Sequence, residues 1–270
     1  MNEAISSYFQ ESPGGASSRS SHFHKVTQLQ RASDISWEVI HEKFPVLPKG
    51  WFELAHLSSS DKIEFVREHW FAKLPHLPHG HDFLITFFAG LEDIGIFITQ
   101  TIKDAPFQAR LVYALKGGAG FYHGFPGASP ERIVLLQEEF PKFSLPADYL
   151  AFLGIHNGFS KSTDTGVSPA EGLRAQYSNF QRFVSDKNLP LLGNGEPIDI
   201  RSLIPYYESF GLRCYHCFFA DWYPEQEMGN IYYSGIEHTI SDFKDPAMWV
   251  ENLAFSTFLD WLAFYLEGMD

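Results

Sequence analysis

The chain has 270 residues, 44% of them apolar and 16% aromatic, which is enough to bury a real core and too much for a disordered chain. Its net charge of −13 leaves 20 scattered Lys and Arg, which excludes a nucleic-acid face built on clustered phosphate contacts and favours a basic protein partner. The two cysteines exclude a disulfide framework, no apolar run reaches the ~18 residues of a membrane span, and no leader-like start is present, so the chain is expected to be cytoplasmic, with no membrane partner.

Residues 1–33 are rich in Ser, Gly and Gln and are expected to be a disordered tail, because their composition repays little of the entropy of ordering. A first unit, residues 34–127, opens with a helix capped by Asp34 and carrying Ile35, Trp37, Val39 and Ile40 as far as Pro45. Pro48-Lys49-Gly50 then turns the chain. Ser58 to Asp61 caps an amphipathic helix with Ile63, Phe65, Val66, Trp70 and Phe71, ending at Leu74-Pro75. From Asp82 the pattern alternates, and Phe83–Phe88, Ile94–Thr101, Phe107–Leu115 and Gly120–Phe125 read as four strands of a meander. In the third, Phe107, Ala109, Leu111, Tyr113 and Leu115 share one face, with Gln108 and Arg110 opposite.

A second unit, residues 128–270, begins with a helix capped by Ser129-Pro130 in which Ile133, Leu136 and Phe140 share a face. A second helix follows from Leu145 to Gly158, about three turns long, with Pro146 at its first position and Tyr149, Phe152, Leu153 and His156 on one stripe. Residues 159–168 read as a loop, and Ser168-Pro169 opens a helical piece to about Phe183. Gly193 to Pro197 breaks the chain before Ile198–Tyr207. Leu212–Ala220, Asn230–Ser234 and Glu237–Ser241 read as strands, and a closing helix with Phe255, Phe258, Leu259, Leu262, Tyr265 and Leu266 on one stripe ends at Gly268.

Leu145, Pro146, Asp148, Tyr149, Phe152 and Leu153, followed by Asn157 and Gly158 and preceded by a helix running from Ile133 to Glu139, resemble the motif of the SMI1/KNR4 family, also called the SUKH superfamily. One departure is Phe159, where many members have a second glycine. The resemblance implies an α+β fold: an antiparallel sheet with helices packed on it over residues 128–270, preceded here by the helix-plus-β-meander unit. It also implies a non-catalytic protein-binding role, as an immunity protein that neutralises a toxin or as a regulatory protein, with the motif itself structural.

Chemistry-bearing patterns are few. Cys214-Tyr215-His216-Cys217 lies in a strand rather than at a helix start, and without a second ligand pair it reads as two core cysteines. His76, His79 and His81 could converge on a metal, which supports the competing reading of a metal-assisted hydrolase, but no carboxylate stands at helical spacing and a solvated connection is the simpler reading. Gly117 to Gly124 misses the dinucleotide fingerprint and reads as a turn. No cofactor motif is found. The Ser-rich start motivates a third reading, an exported effector or its chaperone. For the binding role, the contact surface is expected at Asp221, Trp222, Tyr223, Glu225 and Glu227, an inter-strand loop offering aromatic anchors flanked by carboxylates.

Overall fold

The computed structural model describes residues 3–11, 23–29, 35–76, 80–187, 190–193, 195–224 and 227–267. The first helix, α1 (Glu3–Tyr8), and the first strand, β1 (Lys25–Gln28), belong to the fold. Ile5, Phe9 and Phe23 are buried, and β1 pairs antiparallel with β2 (Leu91–Gln100). The expected disordered tail is therefore corrected for residues 3–11 and 23–29, where buried Ile5, Phe9 and Phe23, with Tyr8 and Val26 packed against them, suffice to dock the segments; residues 1–2, 12–22 and 30–33 lie outside the described residues.

Four more helices lie between β1 and β2. The first, α2 (Trp37–Lys43), has Ser36 as the residue before its first turn; Asp34, the expected cap, lies outside the described residues. Pro48 does not end a turn but opens α3 (Lys49–Leu54), its fixed φ of −66° suiting the residue just before a helix. The Ser58 side chain accepts from Asp61 N at the start of α4 (Ser59–Lys73), as its capping pattern required. The expected strand Phe83–Phe88 is instead part of a helix, α5 (Gly80–Ala89). Leu84, Phe87 and Phe88 are buried while Ile85 stands in solvent, a spacing of three and four that an unbroken apolar run hides from an alternation count.

The meander is completed by β3 (Gln108–Leu115) and β4 (Phe121–Gly124), with the expected turn at Lys116–Gly118. Ser129 caps α6 (Pro130–Glu139) by accepting from Arg132 N. The motif helix, α7 (Ala147–Leu153), is seven residues long, shorter than three turns: Pro146 sits before its first residue and His156 beyond its end. Residues 159–168 are not a loop. They carry β5 (Phe159–Lys161) and β6 (Gly166–Val167), which pair β4 with the later strand β9 (Leu203–Glu208) after α8 (Leu173–Ser185) and the hairpin β7 (Leu192–Gly193) and β8 (Glu196–Pro197). Polar composition misled here because so short a strand needs only its backbone for pairing.

The sheet continues through β10 (Tyr215–Phe219), β11 (Asn230–Ser234) and β12 (Thr239–Ile240), with β13 (Ala254–Phe255) also on β11. Its order is β1-β2-β3-β4-β5-β6-β9-β10-β11-β12. The fold is α+β: among the described residues nine α-helices pack on an antiparallel sheet of 11 strands that does not close into a barrel. The closing helix, α9 (Phe258–Glu267), buries Phe258, Leu259, Trp261, Leu262, Tyr265 and Leu266, while Gly268 lies outside the described residues. No described helix is long and apolar enough to cross a membrane.

One core fills the face of the sheet beneath α2 to α7 and α9. The other face carries two separate clusters, one under α8 and one under the N-terminal segment. In β3, therefore, Arg110 does not face solvent: Val112 and Ala114 beside it are buried against Phe9 and Phe23. Phe9 stacks on Phe97 with ring centroids 4.2 Å apart, so Phe9→Ala is expected to release α1 locally. The check is trypsin cleavage after Lys25, which should quicken by roughly tenfold together with a rise in binding of an apolar dye to the bared face, without loss of the main unfolding transition.

Candidate functional site

The motif residues form a joint. Leu145, Tyr149, Phe152 and Leu153 are core side chains, and Pro146 is buried with them. Asp148 is buried too: one carboxylate oxygen accepts from Tyr149 N at 2.8 Å and the other from Leu259 N at 3.0 Å. The second bond satisfies an open N–H in the first turn of α9, so a residue of α7 caps a helix more than a hundred positions later. Burial outweighs these two donors and pushes the carboxyl up to about 6. Asn157 accepts from Ala170 N and donates to Glu171, tying the end of α7 to the start of α8, and Gly158 takes a φ of 103° that a side chain would strain.

The expected contact loop is divided by the structure. Asp221, Tyr223 and Glu227 are exposed. Trp222 folds back beneath the loop, with its ring 5.3 Å from Phe243 and 5.1 Å from Trp249, and a Cβ on Gly229 would collide with it. Glu225 lies outside the described residues. Asp221 also lines a cleft of about 460 Å³ between the end of α6, α8 and the turn before β9. Phe140 and Tyr177 form its aromatic floor, with the Arg174 guanidinium over both rings at 5.5 and 5.3 Å. Arg201 and Asp199 pair at its rim, and among the described residues Asp221 and Lys142 make no ion pair. The cleft thus presents the Arg174 guanidinium and the half-buried Tyr177 between charges of both signs, with Phe140 buried beneath.

Of the histidine cluster, His76 is exposed, His79 lies outside the described residues, and the His81 side chain is not described. Among the described residues no three His, Cys, Asp or Glu side chains are grouped as metal ligands. Cys214 and Cys217 are buried free thiols, and burial pushes the Cys217 thiol well up.

Three buried polar sets escaped the reading of the sequence. Asp164 accepts from Tyr207 and Tyr265 hydroxyls at 2.8 and 2.9 Å and from Phe210 N at 2.7 Å, linking β9 to α9. Arg110 donates to Thr99, Gln108 and His123 Nδ1, with its guanidinium 4.5 Å from the Phe125 ring centroid and no carboxylate at ion-pair distance among the described residues. Because Arg110 can only donate, His123 Nδ1 accepts, and its Nε2 donates to Ser162 O at 3.1 Å. In the third set His156 Nδ1 faces Phe125 O at 2.8 Å and so carries the proton; Nε2 accepts from the Tyr113 hydroxyl at 2.6 Å, which in turn accepts from Trp70 Nε1 at 3.1 Å. Gly124 makes room for this histidine, since a Cβ there would lie 2.3 Å from the ring. The helical stripe pointed to His156 as an inward residue; nothing in the sequence tied it to a tyrosine 43 residues away. No family model, curated protein or solved structure matches this chain.

Proposed function

We propose that the chain is a non-catalytic protein-binding module of the SMI1/KNR4 type, acting as an immunity or regulatory protein on a basic protein partner. The observation that carries the reading is the inward use of the motif: Asp148 and Asn157 spend their hydrogen bonds on α9 and on the turn before α8. Such residues hold a frame together and leave recognition to the surface around it. That surface is acidic over the whole chain, at −13, and its aromatic cleft is edged by Asp221, with Glu227 and Tyr223 exposed on the same loop. A basic partner would be steered by the net charge and seated on the exposed ring of Tyr223. Trp222 takes no part as an anchor, because it props the loop from beneath.

Affinity capture from native lysate followed by mass spectrometry identifies the partner, and binding kinetics with an Asp221→Lys, Glu227→Lys double variant test the surface. Both positions are exposed, so the variant should melt like the parent. Its association rate should fall by roughly tenfold at low salt, and the difference should shrink as salt shortens the screening length. An unchanged rate in a folded variant overturns the assignment of this face.

A further inference from the structure

A half-enclosed cavity of about 240 Å³ lies between α3, α4 and the sheet, and shares no lining residue with the cleft described above. Trp51, Phe65 and Trp70 line its walls, the Tyr113 and His156 side chains its floor, and His69 one flank. Its walls are predominantly apolar, and no Asp, Glu, Lys or Arg is among the residues that line it.

The floor is polar but spent. Tyr113 has donated to His156 and accepted from Trp70, and His156 has donated to Phe125 O; both side chains are buried, so neither offers a ligand a hydrogen-bonding group. Burial holds His156 down to about 4, and the floor is neutral at physiological pH. A charged ligand would leave water with no counter-charge to meet it, at a cost of several kcal/mol. Aromatic walls reward a flat ring through edge and face contacts. Apolar cavities of about 150 Å³ hold a single benzene ring, so this one has room for two fused rings. We propose that the cavity is a binding site for a small, uncharged, planar aromatic molecule of about the size of indole, whose N–H or O–H donates to His69 on the exposed flank. The site is independent of the proposed protein partner.

The test uses the full chain and indole itself, with indole-3-acetate and tryptamine as charged analogues on the same ring. Side-chain amide spectra should show the Trp51 and Trp70 ring N–H signals moving together and saturating with a Kd below about 1 mM, while the charged analogues bind about tenfold more weakly or worse. Gly50 stands at the mouth, and a Cβ there would meet nothing within 4 Å, so Gly50→Trp can close the opening without a clash. That variant should melt as the parent does and lose indole binding. Phe65→Ala, which removes an exposed wall ring, gives a second reading: roughly threefold to tenfold weaker binding in a folded protein. Absence of saturable shifts at those two tryptophans, equal binding of the charged analogues, or indole binding undiminished in the folded variants would each overturn the proposal.

Discussion

Trp70→Ala is expected to cost about 3–5 kcal/mol and to lower a single unfolding transition shared by the whole sheet. Trp70 has no exposed surface, and its ring meets Phe88 from α5 at 5.6 Å, Tyr113 from β3 at 5.8 Å and Phe152 from α7 at 5.5 Å, all edge to face. Truncation therefore removes a large side chain at the point where the first helices meet the motif helix, and it also strips the Tyr113 oxygen of its donor. Against a total of about 5–15 kcal/mol the loss is severe. Trp70→Phe keeps one aromatic ring in place and loses the N–H with the smaller part of the indole, so it should cost less, about 1–3 kcal/mol. Urea unfolding followed by circular dichroism and by fluorescence reads both. Two separable transitions in the parent, with only one displaced by Trp70→Ala, would show that residues 34–127 and 128–270 fold as distinct units.

The helices that begin with a side-chain cap were legible in the sequence, because a cap and the periodicity behind it are local. Ser58 and Ser129 each accept from a backbone N–H three residues on, as their sequence context required. The α+β class followed from the same local signals. What misled was whatever depends on a distant partner. Phe83 to Phe88 is apolar at every position but Thr86, so strand and helix fit it alike until α9 and the sheet select the helix. Lys161 and Gly166 show no strand signal, yet the strands they belong to join the meander to the C-terminal strands. Arg110 alternates out of the apolar set of β3, which places it on the opposite face, and nothing local shows that Phe23, some 90 positions earlier, covers that face. The candidate contact loop shows the same limit: Asp221 and Tyr223 stay outside as expected, and Trp222 turns in because Phe243 and Trp249, from beyond the next strand, provide its bed.

Acid should destabilise the protein above the pH range in which ordinary carboxylates titrate. His123, His156 and His216 are all buried and are held down to about 3, about 4 and about 3, in each case chiefly by burial, with the Arg110 charge adding to the effect at His123. In the unfolded chain a histidine takes up its proton near pH 6.5, so between there and the folded values the unfolded state binds more protons than the native one. Stability is therefore full above about pH 6.5 and is lost as the pH falls through that window. At pH 5 each histidine accounts for about 2 kcal/mol, and the three together for about 6 kcal/mol, a large part of the total. Asp148 works in the opposite direction. Its folded value, about 6, exceeds the unfolded one of about 3.9, so the native state holds the extra proton and this contribution is gained on acidification, about 1–2 kcal/mol at pH 5. The histidines win by number. His216 separates the terms most cleanly, because its Nδ1 is buried with no hydrogen-bond partner in the structure while Tyr232, Phe255 and Trp261 surround the ring at 5.5 to 5.8 Å. His216→Phe keeps the shape and removes the proton site, so it should be at least as stable as the parent at pH 7 and should lose about a third of the fall in stability between pH 7 and pH 5. Urea midpoints measured at pH 7, 6 and 5 decide the matter: a parent whose stability is flat across that range, or a His216→Phe variant that falls as steeply as the parent, would contradict a neutral buried histidine at this position.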